Sequence, residues 1–263
     1  MPDSEIIRKL QKENLLRLVK HGEPKFTDKW FPYTSGEVGP YYIQSVVVEK
    51  NGQDYRDAID SIANLIILTV GDEFDAISGG ETRDWDFSNP VAYALGKPHV
   101  KLYKDAKPLG AEMKDKQIVH VADLQNEGSS IRDLWHPQIT NNGGKLVHAL
   151  FYVDRLEHGV EVMKDLNIPS HAVVPLDANA WQILLDINYI TPELYTSLNK
   201  RMEDSTAWAH NALKTHPGEL EKMLRSENQK ERAKGEKILN TYKEIRQDLL
   251  DILKARGYVH GKE

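Results

Sequence analysis

Apolar positions along the chain change period twice, and the changes divide it into a helical start, an alternating middle and a charged helical end. Ile6, Ile7, Leu10, Leu15, Leu18 and Val19 recur at three- and four-residue spacing behind Ser4, a candidate N-cap. That spacing predicts an amphipathic helix over residues 4–20, ending near Gly22. A loop rich in aromatic residues, glycine and proline follows, and Tyr41 to Val48 then reads as a strand. Asn51-Gly52 marks a turn before a helix over about 54–70. Short apolar runs predict strands at 75–78, 99–103, 117–121, 146–153 and 171–175, separated by helices at about 90–95, 130–139 and 160–166. Near-continuous apolar strands alternating with helices predict a parallel sheet covered on both faces, since such strands have no solvated side. Residues 191–258 are charged and helical in pattern, with Thr191-Pro192-Glu193 as a start and Pro217-Gly218 as a break, which predicts three packed helices.

At 263 residues the chain has room for one α/β domain with an appendage, or for two small domains. A net charge of −6 argues against duplex nucleic acid as the main partner, because the sequence-independent part of that affinity needs a basic face. The absence of cysteine excludes disulfides, thiolate nucleophiles and Cys-ligated zinc. No apolar run approaches the ~20 residues of a membrane span. The start Met1-Pro-Asp-Ser-Glu-Ile lacks the basic residues of a secretory leader, so a cytoplasmic location without membrane contact is expected.

Candidate chemistry concentrates in Lys116-Gln-Ile-Val-His-Val-Ala-Asp-Leu-Gln-Asn-Glu-Gly-Ser-Ser-Ile-Arg-Asp133, where an apolar strand runs through an acid into a small turn and then a helix. At such a turn the free N–H groups and the helix dipole hold a phosphate without a lysine. Ligands of parallel sheets bind at the carboxyl ends of the strands, and Gly79-Gly80, Asp123 and Asp154-Arg155 fall there. His120 and His148 lie within apolar strands and read as core histidines, while His158, His210 and His260 show no metal-ligand spacing.

Several pieces, in colinear order, carry a family resemblance. Phe31-Pro-Tyr-Thr-Ser-Gly-Glu-Val-Gly-Pro-Tyr-Tyr-Ile43 is similar to an amino-terminal hood over a base. Tyr103-Lys-Asp-Ala-Lys-Pro-Leu-Gly110 is similar to an Arg-Lys pair with a mobile loop. Asp123 to Asp133 resembles a phosphoribosyl-diphosphate (PRPP) loop, and Tyr152-Val-Asp-Arg155 a late Asp-Arg pair. Over about residues 1–195 the chain thus resembles the type I phosphoribosyltransferases, and among them the orotate phosphoribosyltransferases. The resemblance implies a central parallel sheet with helices on both faces and an N-terminal hood over about 1–48. The C-terminal helical extension would then be 196–263.

The implied reaction joins a base such as orotate to C1 of PRPP and releases pyrophosphate, with Mg²⁺ carried on PRPP and no protein metal site. It implies that Asp123 holds the ribose hydroxyls, that Asn126, Glu127, Gly128, Ser129 and Ser130 cradle the 5′-phosphate, and that Lys104 and Lys107 meet the pyrophosphate. The loop 105–116 would close as a lid, Arg155 would pair with a carboxylate on the base, and Tyr41 and Tyr42 would pack against its ring. Gly79, Gly80 and Arg83 would line the pyrophosphate side, and a homodimer is implied.

The sequence departs from the family at Ala122, where a first acid is expected, and at Glu127 within the cradle. It departs also at Thr34 in place of a lysine, Tyr103 in place of an arginine and Leu109 in place of a lid histidine. Each assignment has a structural alternative: Asp123 as a helix cap, Lys104 and Lys107 as surface lysines, Arg155 as a partner of Asp154 or Glu157, and Gly79-Gly80 as a tight turn. Tyr41 and Tyr42 face opposite sides of a strand, so one of them belongs to the core. Two readings follow, an orotate phosphoribosyltransferase-like enzyme and an inactive PRPP- or nucleotide-binding regulator or scaffold.

Overall fold

The computed structural model describes residues 4–258; His260 and Met1-Pro2-Asp3 of the leader reading lie outside the described residues. In chain order the elements are α1 (Ser4–Lys20), β1 (Lys25–Pro32), β2 (Val38–Tyr42), a 3₁₀ helix (Ser45–Lys50), α2 (Gly52–Thr69), β3 (Ala76–Gly80) and α3 (Asp84–Ala94). There follow β4 (His99–Leu102), β5 (Leu109–Gly110), β6 (Gln117–Gln125), a π-helical turn (Ile131–Trp135) that runs into α4 (His136–Asn141), β7 (Lys145–Asp154), α5 (Gly159–Asp165), β8 (Ser170–Pro175) and α6 (Ala178–Asp186). The chain ends in α7 (Pro192–Glu203), α8 (Ser205–Thr215), α9 (Pro217–Leu224), α10 (Gln229–Thr241) and α11 (Arg246–Ala255). It forms two compact units, Met1–Glu23 with Gln44–Ile183, and Pro24–Ile43 with Leu184–Glu263. The sequence reading drew its boundary at residue 195 and kept the hood with the sheet.

The first unit is built on a six-stranded sheet ordered β5-β4-β3-β6-β7-β8, parallel throughout except for β5, which runs antiparallel to β4. The chain moves outward from β3 to β4 and then returns to β6 on the other side of β3. This reversal leaves a crevice outside the carboxyl ends of β3 and β6. Ile118, Ala122 and Phe151 join Trp135, Ile139, Val162 and Met163 in one core cluster. Tyr152, next along β7 and therefore on the opposite face, stacks on Phe87 of α3 with ring centroids 5.2 Å apart. Burying each such aliphatic or aromatic side chain contributes roughly 1.5–3 kcal/mol.

Local chemistry explains where the helices of this unit begin. The Asn51 side chain accepts the N–H groups of Gln53 and Asp54, capping α2. Helix α3 starts at Asp84 rather than near residue 90, so Pro90 sits inside it. Proline there removes the donor for the Asp86 carbonyl, and the Tyr55 hydroxyl of α2 donates to that carbonyl instead.

The expected strand 41–48 ends at Tyr42, and Val46, Val47 and Val48 enter the 3₁₀ helix. β-Branched residues favour a pleated neighbour, and among the described residues no strand pairs with this segment. β1 itself occupies part of the expected loop. In the second unit, α7 to α11 replace the three helices expected: Asp204 and Asn228 cap α8 and α10, and Pro217 begins α9 instead of only breaking a helix. Trp30 and Val38 of the hairpin pack with Leu213, Leu220, Leu239 and Leu253 in this unit's core.

Candidate functional site

The crevice at the switch point brings together Gly79, Gly80, Arg83, Asp84, Ser45 and Asp123. Asp123 lies near the carboxyl end of β6 and is only 6% exposed. The Ser45 hydroxyl donates to its Oδ2 at 2.6 Å, and Arg83 Nε stands 4.0 Å from the same oxygen. The Asp123 N–H donates to Asp84 Oδ1 at 3.2 Å, and Gly80 N–H donates to Asp84 Oδ2 at 3.0 Å. Asp84 therefore ties the ends of β3 and β6 together through one carboxyl group. Burial, then the neighbouring Asp123, pushes its pKa well above the ordinary carboxylate range.

Three aromatic residues and a histidine complete the surroundings. A side chain on Gly80 would overlap the Trp135 indole, and one on Gly79 would overlap Ser88, so both glycines are dictated by close approach. Trp85 Nε1 donates to the Gly79 carbonyl at 2.8 Å, and its ring meets Tyr103 edge-on with centroids 4.8 Å apart. His120 is fully buried with Nδ1 3.0 Å from Ser78 Oγ, and burial drives its pKa down to about 3.

The cradle turn starts directly after β6. Gly128 has φ +69°, and the space a side chain would need is filled by Val162 and Gly159 of α5. Gly159 N–H donates to the Asn126 carbonyl at 3.0 Å, and Arg132 N–H to the Gly128 carbonyl at 3.0 Å, which starts the helix at Ser129. The N–H groups of that first helical turn have no carbonyl behind them, the arrangement that attracts a phosphate. Ala122 belongs to the core cluster, so an acid at this position would face apolar neighbours.

The other sequence candidates separate into groups. Arg155 is 8% exposed and donates to Glu157 Oε1 at 2.9 Å, the structural alternative weighed above. Lys104 and Lys107 are exposed beyond β4, and the Lys104 N–H donates to the Glu81 carboxylate at 2.9 Å. Part of the lid segment is tied down, since Leu109–Gly110 is β5 and Ala111 N–H donates to the His99 carbonyl at 2.9 Å. Tyr41 and Tyr42 belong to the other compact unit, Tyr41 buried and Tyr42 39% exposed. Sequence reasoning missed Ser45, Asp84 and Trp135, whose partners lie far along the chain. Among the described residues no group of three His, Asp or Glu side chains is placed to hold a metal ion, and no helix is long and apolar enough to cross a membrane.

Comparison with known proteins identifies the fold. No family model matches the chain. The structure of UMP synthase from Leishmania donovani superposes with a TM-score of 0.64 at 20% identity over 72% of this chain and 41% of that one. Orotate phosphoribosyltransferase from Aeropyrum pernix superposes with a TM-score of 0.57 at 22% identity, covering 66% of this chain and 99% of the other. The fold is that of the type I phosphoribosyltransferases. The sequence points the same way: orotate phosphoribosyltransferase of Sulfolobus acidocaldarius is 28% identical over 144 residues, 52% of this chain and 71% of the relative. Adenine phosphoribosyltransferases also occur among the sequence relatives.

Proposed function

We propose that the chain is a phosphoribosyltransferase that takes Mg²⁺-bearing PRPP and a base such as orotate and releases pyrophosphate, working as a homodimer. The observation that carries this reading is Asp123 at the end of β6, held by Ser45 and followed at once by the 126–130 turn and a helix start. Displacement at C1 needs positioning, stabilisation of the leaving group and exclusion of water more than covalent help. Asp123 would accept hydrogen bonds from the ribose hydroxyls while the turn receives the 5′-phosphate. Arg83, Lys104 and Lys107 are the cations available to the departing pyrophosphate, and Mg²⁺ arrives with the substrate. The experiment is pyrophosphate release from PRPP with orotate, and with adenine as the competing base. Orotate-dependent release supports the reading, and release with neither base removes it.

A second reading, a binder of PRPP or a nucleotide that does not turn over, is favoured by two observations. The Trp135 indole covers Gly80, and Arg155, the candidate partner for an anionic base, is already paired with Glu157. Binding of PRPP without release of pyrophosphate would select it.

A further inference from the structure

The ligand edge contains two adjacent carboxyl groups and one nearby cation. Arg83 approaches Asp123 and is 65% exposed, whereas Asp84 receives the N–H groups of Gly80 and Asp123 and meets the Asp123 carboxyl group. Behind Asp84 lies a second anomaly. His120 Nε2 is buried without a hydrogen-bond partner among the described residues, and it stands 3.8 Å from Asp84 Oδ2. An unsatisfied nitrogen in a dry interior costs free energy unless a donor or acceptor reaches it.

One proton resolves the first of these. We infer that Asp84 is a neutral carboxylic acid set against the Asp123 carboxylate, with the neutral His120 ring behind it bonded to Ser78, so that the floor between β3 and β6 presents one negative charge rather than two to an anionic ligand. The inference rests on the reading of this edge as a phosphoribosyl site, and it makes Asp84 the residue that decides whether phosphate oxygens are tolerated beside Gly80. Two like charges this close do not both ionise in a buried setting, and Asp123, with Ser45 and Arg83, is the better supported anion. The pKa directions agree, since burial raises Asp84 and lowers His120. The other ionisable groups that act on Asp123 and His120 are Arg83, Glu49 of the 3₁₀ helix and His99 of β4. Burial lowers His99 to about 4, so it supplies no positive charge from behind.

The test is a pH titration of the aspartate carboxyl ¹³C resonances of the full chain, with Asp84 assigned by its loss in Asp84→Asn, alongside calorimetry with metal-free inorganic pyrophosphate. A protonated Asp84 at pH 7 is expected. Asp84→Asn should then change pyrophosphate affinity less than about threefold at that pH, and wild-type affinity alone should fall as pH rises through the Asp84 titration. An Asp84 already ionised at pH 7, or a gain of more than tenfold in Asp84→Asn, would overturn the inference. A protonated Asp84 with no pyrophosphate bound by either protein would uphold the neutral acid and remove the phosphoribosyl reading instead.

Discussion

Single residues decide what this site can hold. Asp123 keeps one carboxylate oxygen on Ser45 and Arg83 and presents its carboxyl group, beside that of Asp84, to a ligand hydroxyl. Asp123→Asn should weaken PRPP binding at least about tenfold, the ~1.4 kcal/mol of one charge-assisted hydrogen bond. Unchanged affinity in the folded variant would remove the ribose assignment. Arg155 leads to a different expectation. Its pair with Glu157 is buried on both sides, so Arg155→Ala removes the cation facing a buried carboxylate and should lower stability by roughly 3–5 kcal/mol in urea unfolding. A variant as stable as wild type that loses only binding of the base would return Arg155 to the ligand. The sequence shows both residues at strand ends, but it carries no sign of which of them the fold has already paired.

Among the elements, the order of strands and helices was readable because apolar runs switch between the two periods. The start of α3 was not. Pro90 suggests a helix beginning, yet the helix begins six residues earlier because Tyr55 supplies the hydrogen bond that Pro90 removes. Asp84 at that earlier start was missed for this reason. Ser45 was read as one residue of a strand, although its chemistry lies in a contact with a residue 78 positions away. His120 was read as a satisfied core histidine, and only its Nδ1 has a partner among the described residues. The junction of β3 with the π-helical turn gives a test at this scale. Gly80→Ala places a methyl group against the Trp135 indole and should destabilise by about 1–3 kcal/mol. Thermal unfolding of Gly80→Ala should be partly restored by Trp135→Leu, and additive losses in the double variant would contradict the packing account.

For the whole molecule, opposing titrations shape the dependence of stability on pH. Burial raises Asp154 to about 6, so its contribution is present at low pH and is lost as pH rises from its unfolded value near 3.8 through about 6. Burial lowers His120 to about 3 and His99 to about 4, so theirs is present above pH 6.5 and is lost as pH falls. Asp154→Asn should therefore exceed wild type by up to about 3 kcal/mol at pH 7 in urea unfolding, and the advantage should vanish by about pH 4. Parallel curves for the two proteins would contradict a buried, protonatable Asp154. Calorimetric titration of the full chain with PRPP and Mg²⁺ tests whether the Asp123 turn receives a phosphoribosyl ligand. Saturable binding of one PRPP per chain is expected, weakened at least about tenfold by Asp123→Asn. Absence of binding at millimolar PRPP, or equal binding by the folded variant, would contradict it.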